Sequence, residues 1–196
     1  MDPIYTLNIP DKKNLQEDKL SKLKLYDIKI DLDWLINKLD MFARTKGEIK
    51  TILLCGMFSA GKSNFINALF RENIMEVEIG AVRLPPIKII YGFERQKTAI
   101  YLNKRRKKIN NWSEIKDDFM LIDNCLLELP HVFLRNGIVI WDTAGFGAEI
   151  EEAEKTQNLI NTIKDEIDII FWLLNAKDLS KIVLEKIDEN KSLISK

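Results

Sequence analysis

Gly56-Met57-Phe58-Ser59-Ala60-Gly61-Lys62-Ser63 satisfies the pattern G-x-x-x-x-G-K-S at every specified position. The glycines let the backbone curl so that successive N–H groups face one anion, and a helix starting there adds the positive end of its dipole. In such a loop Lys62 reaches the β and γ phosphates of a nucleotide. The hydroxyl of Ser63 offers Mg²⁺ the hard oxygen it prefers. The competing explanation is a chance strand-to-helix turn that happens to contain glycines. The flanks favour the phosphate loop: Ile49 to Phe58 is an apolar run that reads as a buried strand, and Lys62 to Arg71 read as a helix. Gly56, Ser59, Ala60, Gly61, Lys62, Ser63 and Asn64 are therefore expected to hold the nucleotide.

Working outward, Ile138-Val139-Ile140-Trp141-Asp142-Thr143-Ala144-Gly145 is a strand ending in D-x-x-G. At the carboxyl end of a strand beside the loop, Asp142 can hold Mg²⁺ and the Gly145 N–H can sense a γ-phosphate. D-x-x-G is weak alone; paired with the loop it favours a GTPase over a generic nucleotide fold. Ile87 to Phe93 and Thr98 to Asn103 flank Glu94 to Lys97, which predicts a hairpin. Trp112 to Leu127 read as helical, with Ser113 near the start. Val132 to Leu134 and Ile138 to Trp141 read as strands around an Asn136-Gly137 turn. Ile150 to Ile163 predict a helix, Ile167 to Leu174 an apolar strand, and Leu179 to Ile187 a last helix. Strands alternating with helices predict an α/β sandwich of the P-loop NTPase type, its sheet mostly parallel with one hairpin.

Upstream, Leu25, Ile28, Leu32, Leu35, Leu39 and Phe42 recur in steps of three and four among charged residues, the pattern of an amphipathic helix with a narrow stripe. Residues 1–46 are expected to form this helical segment and 47–196 the nucleotide domain. With 30 basic and 30 acidic side chains among 196 residues, zero net charge argues against a nucleic-acid partner. Eleven residues, Thr51 to Gly61, make the longest stretch without a charge, well below the roughly 20 that span a bilayer. No basic-then-apolar leader opens the chain. Two cysteines, Cys55 and Cys125, lie in apolar surroundings and read as small buried hydrophobes, with the cytoplasm as the default location. The lone His131 has no partner at metal-ligand spacing and reads as structural. Lys104-Arg105-Arg106-Lys107-Lys108 reads as a solvated loop, with anionic lipid or nucleic acid as the alternative.

Gly56 to Leu69 resembles the phosphate loop and first helix of dynamin-like GTPases, especially the bacterial ones. Leu134 to Gly147 is similar to their third strand and switch, and Ile90-Tyr91-Gly92 to the end of their second strand. The resemblance covers about residues 25–195. It implies Mg²⁺-dependent GTP binding and hydrolysis coupled to self-association, or to a partner helical chain, with peripheral membrane contact in some members. It also implies that Ser59 helps to stabilise charge during cleavage, alongside Lys62 and Gly145.

Two departures stand beside it. No serine or threonine occurs between Ser63 and Thr98, so the first-switch threonine that completes Mg²⁺ coordination is missing. Arg83 takes its place; a guanidinium has no acceptor for a metal but can serve as an arginine finger in cis, the alternative being a solvated arginine in a diverged loop. Phe146 follows D-x-x-G, so no glutamine stands there to orient water, an absence that the resemblance to dynamin-like proteins accommodates because they lack it too. Asn175-Ala176-Lys177-Asp178 approaches the guanine-reading N/T-K-x-D but carries its lysine one place late. The strand expected to bear that motif does not appear, so the domain is expected to be incomplete at its C-terminus, with Ile167 to Leu174 as an open edge. The reading from another class is a non-hydrolysing nucleotide-binding or assembly module that acts through the N-terminal helix. An ATPase also stays open.

Overall fold

A computed structural model describes residues 32–46, 49–56, 60–75, 84–145 and 150–173. In chain order these form α1 (Leu32–Lys46), β1 (Lys50–Gly56), α2 (Lys62–Phe70), β2 (Ile87–Tyr91), β3 (Gln96–Tyr101), β4 (Arg106–Ile109), a 3₁₀ helix (Trp112–Leu121), β5 (Ile122–Leu129), α3 (Val132–Arg135), β6 (Ile138–Asp142), α4 (Ile150–Ile163) and β7 (Ile167–Leu173). The seven strands make one sheet in the order β4-β3-β5-β2-β6-β1-β7. Contacts divide the chain between Leu35 and Ile36, and the packing that follows lies in the unit from Ile36 onward.

Burial explains the order. Every residue of β1 and β6 is buried, as expected of parallel strands covered on both faces. They pair in parallel, as do β1 with β7 and β2 with β5, whereas β2 with β6, β3 with β4 and β3 with β5 are antiparallel. On one face Ile160 and Ile163 of α4 pack with Leu53, Cys55, Val139 and Trp141. On the other, Ile66, Leu69 and Phe70 of α2 are buried, Phe65 meets Phe171 with ring centroids 5.7 Å apart, and Phe70 lies edge-on to Phe133 of α3. Fully burying each such aliphatic or aromatic side chain is worth about 1.5–3 kcal/mol, so the two helical layers hold the sheet from both sides.

The α/β sandwich agrees with the sequence reading, and several local expectations are corrected. The hairpin does not join β2 to β3. β5 lies between them, because Cys125, Leu126 and Leu127 are all buried and such a run needs cover on both faces. The hairpin is one connection later, between β3 and β4, so part of the basic run predicted as a loop is strand. Trp112 to Leu127 is not one helix: Ile115, Phe119 and Ile122 keep helical spacing across what proves to be a 3₁₀-to-strand junction. Val132 to Leu134 is a short helix, not a strand. His131 Nδ1 accepts the Phe133 N–H at 3.2 Å and starts it, a structural role as expected. The Asn136-Gly137 turn is present, with Gly137 at φ 88°. Of the N-terminal stripe, Leu39 of α1 is buried whereas Phe42 is exposed and its neighbour Ala43 is buried in its place; residues 25–31 lie outside the described set.

At the start of β7 the register slips between Thr51 and Ile52. The Asp168 carboxylate accepts the Thr51 N–H at 2.9 Å and lies 3.5 Å from the buried Lys50 ammonium, so the irregular pairing leaves no lost ladder bond at Thr51. Both cysteines are free and buried. Among the described residues no helix is long and apolar enough to cross a membrane.

Candidate functional site

The loop's two ends are built for different reasons. At Gly56 an added Cβ would lie 2.5 Å from the Leu173 carbonyl oxygen, so the first glycine permits the close approach of β1 to β7. Gly61 sits at φ 89°, ψ 22°, the left-handed region that favours glycine, with open space around its Cα. Its carbonyl accepts the Phe65 N–H at 2.8 Å, the first bond of α2. The turn therefore ends where Lys62 and Ser63 begin a helix, leaving that helix's first N–H groups without intrahelical acceptors.

Asp142 ends β6 beside β1, with Leu54 as its register partner. The adjacent Thr143 hydroxyl donates to the Leu54 carbonyl at 2.8 Å, fully buried, and locks the two strand ends together. Asp142 is 8% exposed, and its Oδ1 has no hydrogen-bond partner. Burial raises its carboxyl pKa to about 6 against the lowering influence of Lys62 and the Thr143 backbone. Burial in turn lowers the Lys62 pKa, which Asp142 and Cys55 partly restore. The structure thus brings together an ammonium and a carboxylate that act on each other from α2 and β6. A buried carboxylate oxygen left without a donor is what a cation site requires. Ser63 supplies a second hard oxygen in the first turn of α2. No group of three or more His, Cys, Asp or Glu gathers among the described residues, so a metal held here would depend on Asp142, Ser63 and the oxygens of a bound anion.

Ala60 and Ser63 are half-buried, Asn64 is exposed and Gly145 is buried just beyond β6. Ser59, Arg83, Phe146 and the Asn175 to Asp178 stretch lie outside the described residues. A cleft of about 1020 Å³ lined by Lys50, Thr51, Ile90, Leu126, Arg106 and Asp168 among others touches none of the loop residues and is separate from this constellation.

Asn67 is the participant that sequence reasoning missed. From the middle of α2 its Oδ1 accepts the N–H groups of Ile74 and Met75 at 2.9 and 2.8 Å, and its Nδ2 donates to the Met75 carbonyl at 2.9 Å. It thereby fixes the chain that leaves α2 toward the segment containing Arg83. The available signal was an amide between the apolar Ile66 and Leu69, on a helix face where a polar side chain needs a partner.

With this geometry, a family model described as the dynamin family matches residues 52–192. The chain belongs to the dynamin family. Two solved structures share the fold of this dynamin-family chain at 19% identity, with TM-scores of 0.58 and 0.56. Each is described as an oligomerised bacterial dynamin pair that provides a mechanism for long-range sensing and tethering of membranes. The matches cover 88% of this chain but 29% and 35% of those chains, so it spans about a third of their length. No curated protein matches it.

Proposed function

We propose that this dynamin-family chain binds GTP with Mg²⁺ and hydrolyses it. The observation that carries this reading is the pairing of Lys62, at a helix start set by Gly61, with a buried Asp142 whose Oδ1 lacks a partner. In this reading the loop amides from Gly56 to Asn64 and Lys62 hold the phosphates. Ser63 and Asp142 hold Mg²⁺, which when bound neutralises charge on the phosphate oxygens. Ser59 and Gly145 act at the reacting phosphate, and Arg83 is assigned the offsetting of charge that develops during cleavage. Thr143 keeps Asp142 in place through the Leu54 carbonyl. The site would act in the cytoplasm and be coupled to self-association or to a helical partner, with any membrane contact peripheral.

Fluorescent GTP binding with unlabelled competitors, followed by single-turnover hydrolysis, tests this. Wild type should bind GTP in preference to ATP and turn it over. Lys62→Ala should weaken binding at least tenfold, the loss of about 1.4 kcal/mol or more expected for a charge-assisted contact. Asp142→Asn should retain binding but lose Mg²⁺-dependent turnover. Equal competition by ATP overturns the choice of guanine, and absence of binding overturns the whole reading. Binding without turnover would favour the non-hydrolysing assembly module, a reading supported by the absence of any serine or threonine between Ser63 and Thr98.

A further inference from the structure

Away from the phosphate loop, the β3–β4 hairpin and the end of the 3₁₀ helix bring three aliphatic side chains to the surface together. Leu102, Met120 and Leu121 are 58%, 57% and 58% exposed. Leu102 and Leu121 adjoin because the Leu102 N–H donates to the Leu121 carbonyl at 2.9 Å and Tyr101 pairs with Ile122, and Met120 directly precedes Leu121 in the chain. Isolated exposed leucines are ordinary, but adjoining ones on a fixed surface mark a contact site.

The surroundings are cationic and held in place. Lys104 turns the hairpin at φ 66°, its N–H donating to the Tyr101 carbonyl at 2.8 Å while the Tyr101 N–H donates to the Arg105 carbonyl at 2.9 Å. The Asn103 side chain accepts the Arg105 N–H at 3.0 Å. The Arg105 guanidinium lies 5.4 Å from the centre of the Tyr101 ring, and Arg106 follows on the exposed edge strand. Two of the nearby carboxylates are engaged: Asp118 accepts the Tyr101 hydroxyl at 2.6 Å, and Asp123 lies 3.4 Å from the Lys104 ammonium, which remains 80% exposed. Asp117 is exposed on the far turn of the 3₁₀ helix.

We propose that this patch is an interfacial lipid site, with Leu102, Met120 and Leu121 entering the acyl boundary and Lys104, Arg105 and Arg106 meeting anionic headgroups. Aliphatic tips ringed by cations match the depth profile of a membrane surface, where apolar groups lie below and phosphates beside them. A single-stranded nucleic acid would instead need exposed aromatic faces for stacking. Tyr101 and Trp112 are only 8% and 2% exposed. The site does not depend on the nucleotide reading: along the sheet order, β4 and β1 are five strand spacings apart, or about 24 Å.

Sedimentation of the full chain with phosphatidylcholine vesicles, with and without phosphatidylserine, tests the proposal. Wild type should bind the phosphatidylserine vesicles selectively, and added salt should weaken that binding. Leu102→Ser with Leu121→Ser, and separately Lys104→Gln with Arg105→Gln and Arg106→Gln, should each weaken it by about tenfold or more. The second variant changes only exposed charges, so it carries the test if the first fails to fold. Wild type that ignores phosphatidylserine overturns the site, as do two folded variants that bind like wild type. Binding to a single-stranded RNA that survives the leucine changes, without vesicle binding, assigns the patch to nucleic acid and overturns it too.

Discussion

Asn67 carries more of the site's geometry than its place in the sequence suggests, because one amide serves three backbone groups of Ile74 and Met75. Asn67→Ala leaves two donors and an acceptor without that partner. At about 1–3 kcal/mol per part-buried unsatisfied group, softened by water reaching some of them, the expected loss is about 2 kcal/mol, read as a lower urea midpoint with unchanged m-value. Asn67→Asp keeps the acceptor but faces the Met75 carbonyl with a second acceptor, so it should be intermediate. Lys62, Ser63 and Asp142 stand out in the sequence because the proposed phosphate and metal chemistry would demand those groups at that spacing. Asn67 and Thr143 were not, since their partners are backbone atoms whose positions only the fold supplies. The two glycines of the loop were legible as a pair. Their separate reasons, a left-handed turn at Gly61 and the proximity of Leu173 at Gly56, needed the third dimension.

Elements with a strong period or an apolar run, such as β1, β6, α4 and β7, follow from sequence to within two residues. The stretch from Trp112 to Leu129 does not, because the helical spacing of Trp112, Ile115 and Phe119 runs on to Ile122, and β5 itself shows a buried run at Cys125 to Leu127 instead of a clean alternation. What starts the 3₁₀ helix is Glu114, whose carboxylate accepts the N–H groups of Asn110 and Asn111 at 2.9 and 3.1 Å. Those two bonds, the Asn111 one foremost, hold the Glu114 pKa below its ordinary value. A lowered carboxyl pKa means that the unfolded chain binds the proton more readily. The stabilisation is therefore complete above the ordinary glutamate range, about 4.3, and is lost as pH falls through the lowered value. Glu114→Gln lacks this charge at every pH. The gap in Tm between wild type and Glu114→Gln should be largest near neutrality and close progressively in acid, and a gap independent of pH would contradict the assignment. The hairpin was misplaced for a related reason: turn residues at 94–97 announce a reversal, but nothing local announces that β5 enters between β2 and β3.

On the scale of the whole molecule, Cys55 and Cys125 report on integrity. Burial pushes both thiols up to about 12, and thiolate is the reactive form. A thiol-specific chromogenic reagent should label neither in the native chain, and both should react together as urea unfolds it. Labelling of Cys125 ahead of Cys55 would show that the β3–β5 side opens as a separate unit. The sequence pattern made the α/β class legible through its alternation of strands and helices, whereas the strand order was not, since pairing across long separations leaves no local trace. That separation bears on synthesis. β1 carries the apolar Ile52, Leu53 and Leu54 yet pairs only with β6 and β7, and its bonds through Leu54 and Thr51 span 89 and 117 residues. A ribosome exposes this strand long before either neighbour exists. Closing such loops is slow, and unsatisfied strand edges invite association in the interval. The strand that leads into Gly56 is thus one that a nascent chain carries unpaired for almost ninety residues of further synthesis.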